Sequence, residues 1–166
     1  MKSKAFTMIE SLLYIAIVSI LLVSLTTFFS LILQSKNRSQ TISEVDNQGL
    51  IIMHLMTRTI RNSTSITSPS VGVSASSLTL VVPDGTRSPT IFNATSGVLN
   101  ITEGTGAAIT LSSNRIIISN LSFNNVTKSG TTGTIKISFT LTYNNTAGRQ
   151  EFNYSQTYND SASINI

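Results

Sequence analysis

Apolar and polar positions divide this 166-residue chain into three regimes: one long apolar run, one stripe at helical spacing, and a series of short alternating runs. From Ala5 to Leu33 the sequence reads AFTMIESLLYIAIVSILLVSLTTFFSLIL, with a single acid, Glu10, and no further charge until Lys36. Residues 11–33 in a helix rise roughly 35 Å at about 1.5 Å per residue, enough to cover a hydrocarbon core of about 30 Å. The run therefore predicts a membrane-spanning helix. Glu10 is its anomaly, because a carboxylate at a membrane segment is costly and is usually there for a function.

Beyond Gln34 the pattern turns amphipathic instead of stopping. Ile42, Val45, Gly49, Ile52, Met53, Met56 and Ile60 recur at steps of three and four, the spacing of a helix with one apolar face. No proline lies between Phe6 and Asn62. Gly49, the one glycine there, weakens the helix locally by about 1 kcal/mol relative to Ala. The pattern predicts one helix of roughly 55 residues, its outer half packed on the domain that follows. Residues 63–77, rich in Ser, Thr and Pro, read as a linker. Short β-branched runs follow at Leu78–Val82, Thr90–Phe92, Val98–Thr102 and Ala108–Leu111, with a stronger one at Arg115–Phe123 kinked near Ser119 and Asn120. Pro83, Asp84 and Gly85 form a turn sequence after the first run. In Thr134–Tyr143, Ile135, Ile137, Phe139, Leu141 and Tyr143 share one face, the mark of a half-buried antiparallel strand. Arg149–Tyr158 reads as its hairpin partner. The fold class is α+β: a long N-terminal helix packed on an antiparallel β-sheet domain.

Composition narrows the chemistry. Eleven Lys and Arg stand against seven Asp and Glu, a net charge of +4, and Lys2 and Lys4 supply two of those charges. The other basic residues are scattered without aromatic interleaving, so nucleic acid remains an unsupported partner. With no Cys, disulfides and thiolate metal sites are excluded. His54 is the only histidine and lacks a second ligand at i+4. Arg58 and Arg61 make a small basic spot, which a helix C-terminus accommodates without any ligand. Asp84, Glu103, Glu151 and Asp160 show neither carboxylate pairing nor calcium-loop spacing, and Gly104-Thr105-Gly106 lacks the Lys of a phosphate loop. No cofactor or metal is expected, and no enzyme activity. The triplets at Asn93 and Asn125 fit glycan acceptors, as chance allows in a chain this rich in Asn, Ser and Thr.

The leader supplies the sharper reading. Met-Lys-Ser-Lys-Ala precedes Phe6-Thr7-Met8-Ile9-Glu10-Ser11-Leu12-Leu13 and the apolar run. This arrangement resembles the type IV prepilin N-terminal signature. The resemblance implies a membrane peptidase that cuts between Ala5 and Phe6 on the cytoplasmic side and methylates Phe6. Ala5 stands where that family usually has Gly, and Ser11 where it usually has Leu. The organisation it implies is a leader over 1–5, a transmembrane and assembly half over 6–33, an amphipathic half over 34–62, the linker over 63–77 and an extracytoplasmic β-rich domain over 78–166. Arg58-Thr59-Ile60-Arg61-Asn62, and the order of the last strands, also resemble J- and W-type minor pilins and pseudopilins.

Electrostatics explains why such a signature needs both groups. A free amine at Phe6 is cationic at neutral pH, and Glu10 sits about one helical turn away. Each charge alone in apolar surroundings carries a penalty of several kcal/mol that pairing relieves in part. The Glu10 of an incoming subunit can therefore meet the amine of its neighbour, which sets the axial register as a lone polar residue does in a coiled coil. The flanking charges, Lys2 and Lys4 against Lys36 and Arg38, nearly balance, and the resemblance decides for an N-terminus inside. Expected partners are the prepilin peptidase and methylase, other pilin or pseudopilin subunits, the inner-membrane assembly platform and membrane lipid. Whether the machine is a pilus, a secretion system or a DNA-uptake apparatus stays open, as does a major subunit or a pilus-associated module that binds DNA or a surface ligand.

Overall fold

The computed structural model describes residues 7–165. Helix α1 spans Met8–Arg61, 54 residues without interruption. Strands β1 (Ser65–Ser68), β2 (Ser74–Ala75), β3 (Ser77–Val81), β4 (Thr90–Thr95), β5 (Val98–Glu103), β6 (Ile109–Thr110), β7 (Ile116–Asn125), β8 (Thr134–Tyr143) and β9 (Ser155–Ser163) follow, with a short 3₁₀ turn at Gln150–Phe152 before β9. The chain divides into two compact units, one ending at Ser39 and one beginning at Gln40.

Within the unit that begins at Gln40, the outer half of α1 packs on antiparallel sheet, giving the α+β architecture the pattern predicts. The strands form two sheets, one in the order β1-β3-β4-β5-β6 and one in the order β2-β7-β8-β9. Every pairing is antiparallel. One core joins helix and sheets: Val45, Ile52, Met56 and Ile60 of α1, Leu78, Leu80, Phe92 and Leu99 of the first sheet, and Phe123, Ile135, Ile137, Phe139 and Leu141 of the second. All of these side chains are fully or almost fully withdrawn from solvent. The helical stripe is centred as expected on Val45, Gly49, Ile52, Met53, Met56 and Ile60, with Thr41 rather than Ile42 buried at its start.

β8 occupies Thr134–Tyr143 as read from its alternation, with Ile135, Ile137, Phe139 and Leu141 inward. β7 breaks register between Ser119 and Ser122, and Asn120 adopts φ +53°. Such an extra residue in one strand kinks it, which is the bend expected at Ser119 and Asn120. The β4–β5 hairpin turns through Ser96 and Gly97, both at positive φ, between the paired Thr95 and Val98. The Gly97 carbonyl then accepts the Ile118 N–H at 2.8 Å and links the two sheets.

Two expectations need correction. Residues 63–77 are not simply a linker, since β1 pairs with β3 and β2 with β7. These strands are mostly Ser and Thr, held by backbone pairing with only Ile66 packed against the core, so hydrophobic alternation does not reveal them. The final strand also starts later than Arg149. Arg149–Phe152 coils instead, because the Phe152 ring stacks on Tyr143 at 5.7 Å with the Arg149 guanidinium 5.4 Å from its centroid. The Asn145 side-chain amide closes the loop by donating to the Arg149 carbonyl at 2.8 Å. β9 consequently runs Ser155–Ser163, over polar residues that carry no periodic signal.

Gly49 marks the tightest approach between helix and sheet. A Cβ placed there would lie 2.1 Å from the Tyr158 ring of β9. Gly49→Ala gains about 1 kcal/mol of helix propensity and loses about 1–3 kcal/mol to overpacking. The expected outcome is a lower unfolding midpoint in denaturant titrations, reversed when Tyr158→Ala is added; a more stable Gly49→Ala protein would contradict this packing.

Candidate assembly and membrane segment

Of the three predicted site residues, Ala5 and Phe6 lie outside the described residues. Glu10 lies in the first turn of α1, where its side chain is exposed. The helix starts on the Thr7 carbonyl, which accepts the N–H groups of Glu10 at 3.1 Å and Ser11 at 3.2 Å. An acid in a first turn complements the positive end of the helix dipole. Residues 8–33 bury none of their apolar side chains: Ile20 is 69% exposed and Phe28 64%, whereas Val45 and Ile60 on the outer half are at 0%. The same helix thus presents an uncovered apolar half and a half with one buried stripe.

Backbone N–H and C=O groups within the apolar half are consumed by the helix, the condition any segment must meet in hydrocarbon. Three of its hydroxyls bond to the helix backbone as well. Ser19 donates to the Ile15 carbonyl at 2.8 Å, and Thr26 and Thr27 both donate to the Val23 carbonyl at 2.9 Å. An 18-residue window here has a mean hydropathy of 2.5, so α1 is long and apolar enough to cross a membrane or to act as a signal sequence.

A second set of polar contacts fixes the outer half. The Asp46 carboxylate receives the Tyr158 hydroxyl at 3.1 Å and the Tyr154 hydroxyl at 3.3 Å, and the Tyr158 hydroxyl also lies 3.2 Å from the Val45 carbonyl. The Tyr158 ring meanwhile stacks on Phe139 at 5.4 Å. β9 is thereby clasped to α1 by its two tyrosines. The sequence pattern puts both tyrosines in the predicted hairpin partner Arg149–Tyr158 but does not reveal Asp46, whose only signal is an acid beside the buried stripe. At the far end of the helix, the Asn165 N–H donates to the Arg61 carbonyl at 3.0 Å and caps the last turn.

The remaining candidates resolve individually. Arg58 and Arg61 lie in the last helical turn, favourably placed against its dipole. A groove between this turn and residues 82–87 is lined by Leu55, Arg58, Asn62, Asp84 and Arg87. Its charges nearly cancel: Glu103 holds the Arg87 guanidinium through both oxygens, and the Asp84 carboxylate accepts the Thr86 N–H at 3.0 Å and hydroxyl at 2.7 Å. Among the described residues no cluster of three His, Cys, Asp or Glu is placed to hold a metal. Asn125 is buried, and its side-chain amide donates to the Pro69 carbonyl at 2.8 Å, so it is withdrawn from any glycan.

No protein-family model, no curated protein and no solved structure matches this chain. The architecture itself, a long N-terminal apolar helix whose outer half packs on antiparallel sheet, is consistent with a pilin-like fold.

The tyrosine clasp has a pH signature. Burial, followed by hydrogen bonding to Asp46, raises the Tyr158 hydroxyl pKa above its ordinary value of 10.0; burial and the Asp46 charge raise that of Tyr154. Below pH 10 folded and unfolded chains both keep these protons, and the contribution to stability is complete. Above it the unfolded chain releases protons that the folded chain retains, so stability falls as pH rises. Thermal unfolding followed from about pH 9 to about pH 12, the range around the reference tyrosine, should show a falling midpoint, and Tyr158→Phe should flatten that fall.

Proposed function

We propose that this protein is a structural subunit of a pilin- or pseudopilin-type filament, related in kind to minor pilins. It enters the inner membrane as a single-pass precursor with its N-terminus inside. A prepilin peptidase cuts it between Ala5 and Phe6 and methylates Phe6, and the chain then joins other subunits through α1 on an assembly platform. The observation that carries this reading is the wholly uncovered apolar helix half with Glu10 in its first turn, directly behind a short basic leader. An apolar face of that size needs either lipid or other helices, and such a helix can exchange one for the other at little hydrophobic cost. Glu10 then supplies what apolar packing lacks, a register, by meeting the amine of a neighbouring Phe6. The outer unit supports a structural role, since its polar side chains mostly satisfy one another and its backbone. No catalytic activity is proposed.

Two measurements test this. The intact mass of the membrane-extracted protein should correspond to a chain beginning at methylated Phe6; a chain still beginning Met-Lys-Ser would remove the processing step. Glu10→Ala should insert into the membrane at wild-type levels and drop out of sheared filament fractions by about tenfold, the equivalent of 1.4 kcal/mol. Unchanged incorporation of that variant would refute the register role.

A further inference from the structure

Nine of the fourteen asparagines in this chain stand in Asn-x-Ser/Thr triplets, so the sequence by itself does not choose an acceptor among them. An N-linked sugar needs a solvent-facing amide without a partner, an unengaged hydroxyl two residues on, and a backbone that no ladder holds fixed. The structure sorts the triplets by these conditions. Asn37 lies inside α1. The hydroxyl two residues after Asn62 is that of Thr64, which donates to the Val81 carbonyl at 3.0 Å. Asn93 and Asn100 face each other in the β4–β5 ladder. The amides of Asn125 and Asn144 already donate to the Pro69 and Asn114 carbonyls. Asn153 accepts the Asn145 amide at 2.6 Å in the closed loop before β9, and Asn159 sits within the unbroken β8–β9 register.

Asn120 meets all three conditions. It is exposed, and its side chain makes no hydrogen bond among the described residues. The register of β7 on β8 passes from Ser119 opposite Thr140 to Ser122 opposite Ser138 and gives Asn120 and Leu121 no partner. A bulge of this kind is the least tied point of its strand. Leu121 is buried, which leaves Asn120 and Ser122 on the outward side. The φ of +53° favours an asparagine at 120 on conformational grounds alone. The independent element is Ser122, whose hydroxyl also makes no hydrogen bond among the described residues. We propose that Asn120 is a glycosylation site that receives a sugar from a polyprenyl diphosphate carrier. In the transfer the Asn120 Nδ2 attacks the anomeric carbon and forms the Nδ2–C1 bond. The C1–O bond to the diphosphate breaks, the polyprenyl diphosphate leaves with that electron pair, and one amide proton passes to a base of the transferase. The inference rests on the reading above only in placing this unit on the side of the membrane where such lipid-linked sugars are presented.

Arg115 and Lys128 bracket the site, so trypsin releases it on the fragment 116–128. In full-length protein extracted from native membranes, that fragment should carry the mass of at least one sugar residue, placed on Asn120 by peptide fragmentation. Asn120→Gln should lose the added mass completely. Ser122→Ala, which leaves Asn120 in place, should lose it as well, and Ser122→Thr should retain it. A bare wild-type fragment, a sugar on Asn125 instead, or a sugar that survives Ser122→Ala would each overturn the proposal. The N-terminal mass of the same samples keeps the two readings apart. A chain that begins at Phe6 with a bare fragment sinks the glycan alone, whereas a glycosylated chain still beginning Met-Lys-Ser sinks the processing step alone.

Discussion

One helix carries two surface patterns, and the rest of the structure follows from the change between them. A helix closes its own backbone hydrogen bonds, so α1 carries no unpaired peptide groups through its middle whether its surroundings are hydrocarbon or protein. What changes along it is only the side-chain pattern. Up to Leu33 the apolar residues face outward on every side, and from Thr41 they withdraw to one stripe that the sheets cover. The stripe seats the β-strands, and Asp46, Tyr154 and Tyr158 hold the last of them in place. Gly49 permits that seating, because the Tyr158 ring occupies the volume where any other residue would carry a side chain.

How much of this was legible in the sequence depended on whether a feature buries hydrophobic surface periodically. α1 and β8 do, and both could be read almost to the residue. The kink in β7 was also visible, since Ser119 and Asn120 interrupt an otherwise apolar run. β1 and β2 were not, because Ser and Thr strands are held by backbone pairing, which leaves no mark on side-chain alternation. β9 was displaced in the reading because Phe152 looks like a strand residue and is in fact the lid of a loop, stacked on Tyr143. The clasp on Asp46 was invisible for a different reason: its partners lie more than a hundred positions away in the chain.

For the candidate site the division is sharper. Glu10 is prominent in the sequence because charge is rare in its surroundings, and the structure shows an exposed carboxylate in the first turn of a helix whose apolar residues 8–33 are exposed among the described residues. Isolated charge and uncovered apolar surface are both costly to a protein acting alone. Each becomes favourable only in company. In the unit that begins at Gln40, by contrast, the buried amide of Asn125 is satisfied on both sides, by Pro69 and Thr127.

The cap that Asn165 places on the Arg61 carbonyl bears on the order of events as the chain is made. The end of the helix depends on Asn165 and the clasp on Asp46 depends on Tyr154 and Tyr158, so the unit that begins at Gln40 closes only once residues 154–165 have been made. Contacts of such long sequence separation carry a high loop-closure entropy and form late. The apolar half needs none of them and is complete within the first forty residues. A helix long and apolar enough to cross a membrane is thus present in the chain before the unit that begins at Gln40 can close.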